Sequence, residues 1–156
     1  MKIKIIALGK LKEKYLKEGC EEFIKRITPY CSFEVIELKP EQVYEDSLIE
    51  KALDVESERI LANIKKDSYV ITMEIGGKAL SSEDFADKIE ELTKLGISEL
   101  VFVIGSSHGI SSKVSQRANF KLSLSKMTFL HEFARLLLIE QIYRSFKIIK
   151  RESYHK

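Results

Sequence analysis

The chain has 156 residues, 44% of them hydrophobic and 32% charged, with a formal net charge of +2. That length predicts one domain with a real core, and that composition excludes a wholly disordered chain. The charge is too mild to demand a nucleic-acid partner, so its distribution carries more information than its sum.

"KIKIIALG" at the start alternates and is rich in isoleucine, which predicts a strand. "YLKEGCEEFIKRITPY" places Tyr15, Leu16, Gly19, Cys20, Phe23 and Ile27 at helical spacing, with Pro29 marking the end. "FEVIELK" reads as an untidy strand, and "PEQVYED" as a polar connection. "SLIEKALDVESERILANI" is a second helix. "SYVITMEI" is a strand closed by Gly76-Gly77-Lys78. Ser81 or Ser82 starts a helix through Phe85, Ile89, Leu92 and Leu95, stopped by Gly96. "ELVFVIG" is a continuous apolar run, as expected of a strand covered on both faces. A short helix over 111–117, a strand "FKLSL", a loop "SKMTFL", a long helix "HEFARLLLIEQIYRSFKII" and a tail "KRESYHK" complete the chain.

Strands alternate with helices throughout, so the expected fold is α/β, a single domain over residues 1–156 with a mostly parallel sheet and helices on both faces. In such sheets ligands sit beyond the carboxyl ends of the strands, near a topological switch point. The relevant ends are Met73 to Gly77, Gly105 to Gly109, and Ser123 to Phe129. Cys20 and Cys31 form no C-x-x-C pair and read as buried thiols in a reducing compartment. No signal peptide and no apolar run near the ~20 residues of a bilayer span is present, which predicts a cytoplasmic protein without a membrane partner.

Gly105-Ser106-Ser107-His108-Gly109 matches G-x-S-x-G, which raises Ser107 as a nucleophile. A triad needs an acid and then a histidine further along the chain. No Asp or Glu lies between Gly109 and His131, and only Glu132, Glu140 or Glu152 followed by His155 keeps the order. The same glycines serve equally where backbone must approach a ligand closely. "HEFAR" opens like the zinc motif H-E-x-x-H, but Arg135 stands where the second histidine belongs, so no metal is expected. No P-loop and no G-x-G-x-x-G follows any strand.

The last helix is apolar over more than one stripe, from Phe133 to Phe146, as expected of a helix covered on several sides, one of them by another subunit. Arg144, Lys147, Lys150, Arg151 and Lys156 face a single acid, Glu152, in the C-terminal stretch. Lys2, Lys4, Lys10, Lys12 and Lys14 add basic character at the other end. Acids concentrate in 41–58 and 83–91. That segregation is consistent with a basic face for phosphates and equally with a solvated surface. Tyr154 and His155 in the tail supply a ring and an imidazole able to stack on a base or exchange a proton with it.

"GKLKEKY", "KRITPY", "VITMEIGGKALSSEDFA", "FVIGSSHG", "LSLSKMTF", His131, "LLLIEQIYRSFKI" and terminal "YHK" occur in this order. Together they resemble the RlmH family of SPOUT methyltransferases over nearly the whole chain. The resemblance implies a C-terminal deep trefoil knot, a homodimer formed through it, and S-adenosylmethionine as cofactor. It implies methylation of N3 of a pseudouridine in the decoding-centre stem-loop of 23S rRNA, within the assembled ribosome. It also implies cofactor contacts at Met73, Gly105, Leu124, Ser125, Lys126, Met127, Thr128 and Phe129. His155, Tyr154, Arg135 and His131 are then the candidates for the chemistry, with Arg144, Lys150 and Arg151 toward RNA. Three positions depart from the family pattern: Ser106 where glycine is usual, Leu130 where proline is usual, and Glu132 where an amide is common. A non-catalytic RNA- or ribosome-binding module of the same fold is the alternative, with a small hydrolase third.

Overall fold

Alternation in Lys2–Leu8 (β1) sends Ile3, Ile5 and Ala7 to one face of a sheet and Ile6 and Leu8 to the other, and both sets are buried. The structure, a computed structural model, describes residues 1–156. After β1 come α1 (Lys14–Ile27), β2 (Ser32–Leu38), a 3-10 turn (Asp46–Leu48), α2 (Ile49–Leu61), β3 (Tyr69–Ala79) and α3 (Ser82–Lys94). β4 (Glu99–Ile104), α4 (Ser112–Arg117), β5 (Phe120–Ser123) and α5 (His131–Ile149) follow. The five strands form one sheet in the order β2-β1-β4-β3-β5, and every pairing is parallel.

Helices cover both faces, as an all-parallel sheet requires. The larger core lies on the face where α5 packs between α1 and α3, and joins Leu138, Ile139 and Ile142 to Ile3, Ile5, Phe102 and Ile89. On the other face, under α2 and α4, Ile6, Val101, Val103, Ile60 and Val114 form a smaller core. Lys4 points into this side and is buried. Its Nζ donates to the Asn63 carbonyl at 3.2 Å and lies 3.5 Å from Glu99 Oε2. Burial raises the Glu99 carboxyl, but the Ser68 hydroxyl and the Lys4 and Lys65 charges outweigh it and hold the group below its ordinary value.

Two elements differ from expectation. β3 does not close at Gly76-Gly77-Lys78: the chain bulges between Met73 and Lys78, which both register against Leu122, then runs on to Ala79. A Cβ at Gly77 would lie 2.6 Å from the Lys121 carbonyl oxygen, so here glycine permits close strand approach and does not end the strand. The second helix proper begins at Ile49, after the 3-10 turn. β2 is untidy in sequence because it is an edge strand, half-covered on both sides.

Candidate active site

β3 and β4 are neighbours, yet the chain leaves β3 for α3 on one face and β4 for α4 on the other. That divergence is a switch point, and a cleft of about 390 Å³ opens at it. Met73 to Gly76 form one wall, Ile104 to Ile110 a second, and Leu122, Leu124, Ser125 and Met127 to Phe129 a third, while His131 and Ala134 of α5 close it. Met73, Gly105, Leu124, Ser125, Met127, Thr128 and Phe129 therefore share one cavity; Lys126 does not line it.

The middle wall is a tight turn. A Cβ on Gly105 would sit 2.3 Å from the Gly109 carbonyl oxygen, and Gly109 has φ +88°. The Gly109 amide donates to the Ser106 carbonyl at 2.9 Å. Ser106 keeps a negative φ, so the departure from glycine costs no backbone strain, and its hydroxyl donates to Glu56 Oε1 at 2.9 Å. Ser107 is exposed, and its hydroxyl bonds to no histidine, so the nucleophile arrangement is not assembled. In the third wall the Met127 amide donates to Ser125 Oγ at 3.0 Å, fixing the bend before α5.

The first turn of α5 points its charged groups away from the cleft. His131 lines the cleft, and its Nδ1 is buried without a partner. Glu132 is buried and accepts the Lys12 amide, so its carboxylate is turned to the β1–α1 loop and not to the cleft. Arg135 does not line the cleft either. It is 3% exposed, paired with Glu37 at 2.6 Å, and donates to the Gly9 carbonyl at 3.0 Å. One helical turn beyond His131 carries it to the β1–β2 side of the sheet, where it ties α5 to β2 and to the end of β1.

The tail folds back by a Schellman cap. Arg151 takes φ +56°, its amide donates to the Ile148 carbonyl at 3.1 Å, and the Glu152 amide donates to Lys147 at 2.9 Å. Tyr154 then packs edge-on against Tyr143 at 4.8 Å and donates its hydroxyl to Glu140 at 2.8 Å. Burial and the Glu140 charge push the Tyr154 phenol up. Arg144 lies over the Tyr154 ring and holds Glu140 at 2.6 Å. His155 Nδ1 lies 3.1 Å from Arg144 Nη1, and Nε2 lies 2.6 Å from Glu83 Oε1. Guanidinium has no lone pair, so Nδ1 accepts and Nε2–H donates to Glu83. Tyr154, His155 and Arg144 thus form one cluster with Glu140 and Glu83. About 20 Å of helix, at ~1.5 Å per residue, separates Arg144 from His131 along α5.

Much of the basic stretch is internally paired. Lys147 pairs with Glu152 at 2.6 Å, and Lys2 with Glu34 at 2.6 Å. Lys150, Arg151 and Lys156 enter no ion pair. The cleft residues missed from sequence are Ile104, Ile110, Leu122 and Ala134, and behind them Glu56. Strand position could have found Ile104 and Leu122, and Ile110 adjoins the glycine turn; nothing local marks Ala134 or Glu56. No helix is long and apolar enough to cross a membrane, and no cluster of three His, Cys, Asp or Glu is placed to hold a metal ion.

Residues 1–155 match the family model described as "Predicted SPOUT methyltransferase". The chain is 50% identical over 159 aligned positions, covering all of both chains, to the ribosomal RNA large subunit methyltransferase H of Carboxydothermus hydrogenoformans. Among solved structures it is similar to a Haemophilus influenzae protein classed in a methylase family, with TM-score 0.56 and 15% identity over 99% of this chain and 70% of that one. A Legionella pneumophila protein classed as a methyltransferase and solved with the cofactor SAM bound gives TM-score 0.52 and 13% identity over 94% of this chain and 66% of that one. With a switch-point cleft built from three parallel strand ends and a whole-chain family match, this chain belongs to the SPOUT methyltransferase family.

Proposed function

We propose that this chain methylates ribosomal RNA with S-adenosylmethionine as donor, its target N3 of a pseudouridine in the decoding-centre stem-loop of 23S rRNA on the assembled cytoplasmic ribosome. The observation that carries the proposal is end-to-end 50% identity with a ribosomal RNA large subunit methyltransferase. The cleft fits a nucleoside cofactor. Its volume lies in the usual range of roughly 300–1,000 Å³ for small-molecule sites. Met73, Ile110, Leu122, Leu124 and Phe129 give it apolar walls, and the turn at Gly105–Gly109 brings backbone groups to its edge.

When bound, S-adenosylmethionine supplies an electrophilic methyl group. The protein must position N3 in line with it and accept the N3 proton. His155 is the proposed base. Its Nδ1 lone pair faces Arg144, so it must leave that partner, or work through water, to take a proton. Arg144, Lys150 and Arg151 are proposed to hold phosphates. His131, with its unpartnered Nδ1 on the cleft wall, is proposed to fix substrate or cofactor by a hydrogen bond.

Homodimerisation is part of the proposal. Phe129, Leu130, Phe133 and Leu137 are exposed along the start of α5, with Tyr15 packed on Phe133 at 6.2 Å. Such a contiguous apolar face is what a second subunit would cover. A trefoil knot is also proposed. It is supported by the path of α5, which leaves the edge strand β5 yet lies between α1 and α3, so its chain must pass the β3–α3 connection. Transfer of labelled methyl from S-adenosylmethionine to ribosomes lacking this modification tests the function, with free 23S rRNA alongside. Label at the pseudouridine on assembled ribosomes is expected. Folded protein that labels neither form would overturn the proposal in favour of a binding module.

A further inference from the structure

Helix α2 contributes nothing to the cleft lining, yet two adjacent residues on it hold both ends of the glycine turn. At the first end, Ser106 Oγ donates to Glu56 Oε1 at 2.9 Å. At the second, the Ser111 hydroxyl bonds the Ser57 hydroxyl. Proton inventory fixes the direction of this second bond. Ser57 gives its one proton to the Leu53 carbonyl at 2.7 Å, so Ser111 donates, while Ser111 Oγ accepts the Val114 amide at 3.3 Å and caps α4.

Glu56 is 3% exposed, and its second oxygen accepts the Glu41 amide at 2.9 Å. Glu41 in turn pairs with Arg59, which also donates to the Lys39 carbonyl at 2.7 Å. One buried carboxylate thus joins α2, the β2–α2 connection and the cleft wall. A buried carboxylate is tolerated only where its oxygens are hydrogen-bonded, and here the cleft turn supplies one of the two donors. The turn is internally compact: Gly105 packs on Gly109, and the Gly109 amide donates to the Ser106 carbonyl. Beyond its chain connections to β4 and α4, the side-chain ties that place it over the cleft come from α2.

We propose that Glu56 is a positioning residue that, through Ser106, holds the 105–111 turn in the place from which it lines the cleft. Glu56 touches neither cofactor nor reacting atoms, and its effect falls on affinity for the adenosyl ligand, not on the transfer step. The ligand part of this proposal rests on the reading that the cleft holds S-adenosylmethionine.

The test uses the full chain as wild type, Ser106→Ala, Ser106→Thr and Glu56→Ala. Two quantities are measured: amide hydrogen exchange over 104–111 without ligand, and calorimetric affinity for S-adenosylhomocysteine together with kcat at saturating S-adenosylmethionine. Ser106→Ala should speed exchange in the turn and weaken affinity on the order of tenfold, the usual scale for losing a hydrogen bond to a charged group. The kcat at saturation should stay within about twofold, since no reacting contact changes. Ser106→Thr, which keeps the hydroxyl, should restore both quantities. Unchanged exchange and affinity in Ser106→Ala would overturn the proposal, whether or not Glu56→Ala folds. So would a fall in kcat with affinity intact. Wild type that binds no adenosyl ligand, while Ser106→Ala still loosens the turn, would support the tie and overturn the cofactor reading.

Discussion

Gly105 has no room for a methyl group, because a Cβ there would lie 2.3 Å from the Gly109 carbonyl oxygen. Gly105→Ala must displace the turn, and overpacking of this kind costs about 1–3 kcal/mol. Thermal melting should show that loss, and calorimetry should show no binding of S-adenosylhomocysteine. Ser107 is the opposite case. It is exposed and its hydroxyl is hydrogen-bonded to no base, so Ser107→Ala should leave transfer within about twofold, as surface changes usually do; complete loss with the fold intact would revive the nucleophile. Leu130 is subtler. Its φ of −55° is already close to that of proline, and its amide donates no hydrogen bond. The departure from the family pattern therefore leaves the backbone where proline would put it. Leu130→Pro should raise stability by about 0.4–1 kcal/mol, read as a higher Tm, by restricting the unfolded chain. The glycine spacing was legible in the sequence; the direction in which Ser106 and Glu132 point was not. Each is aimed by a partner remote in the chain, Glu56 for one and the Lys12 amide for the other.

At the scale of elements, the sequence pattern located the five strands and five α-helices, by an apolar face in α1 and α3 and by a continuous apolar run in β4, but not the 3-10 turn before α2. It misjudged the end of β3 because Gly77 serves a contact with Lys121 in β5, which no local pattern contains. It grouped Arg135 with His131 because they are one turn apart, but that turn carries Arg135 onto Glu37, outside the cleft. The tail is the element with most at stake. Four of its ties end on carboxylates: His155 on Glu83, Tyr154 on Glu140, and Lys147 and Tyr30 on Glu152. The His155 bond holds Glu83 below its ordinary value of 4.5, and the Lys147 and Tyr30 bonds do the same for Glu152. For a group whose folded value is depressed, the stabilisation is present above the ordinary value and is lost as pH falls through the folded one. The tail should therefore stay docked from neutral pH down to about the ordinary carboxylate range and release below it. Backbone amide chemical shifts of residues 150–156, followed against pH in the ligand-free protein and again after return to neutral pH, would show this. Release already near neutrality would place control on the imidazole instead.

At the scale of the molecule, the single chain separates the two groups of residues that the proposed function brings together. The cleft sits at the start of α5, with His131 and Ala134 on its wall, while Tyr154 and His155 are fixed beside Glu140 and Arg144, farther along the same helix. The tail cannot bend to its own cleft without giving up the Schellman cap and the Glu83 and Glu140 bonds. A second subunit seated on the apolar start of α5 offers another route, in which the tail of one protomer meets the cleft of its partner. Mixed dimers distinguish the two routes. One parent lacks residues 153–156 and keeps the cleft; the other carries Gly105→Ala and keeps the tail. Each parent alone should be inactive in methyl transfer, and the truncated one should still bind S-adenosylhomocysteine. If the tail serves the partner, each mixed dimer contains one intact cleft facing one intact tail. An equal mixture exchanged to equilibrium should then recover about one quarter of wild-type activity: half the dimers are mixed, each with one working site of two. If each tail serves its own cleft, no combination contains a complete site and the mixture stays inactive. Replacing Leu137 with Glu in both parents should abolish the recovery, because a charge buried in that face opposes the association on which the shared site depends.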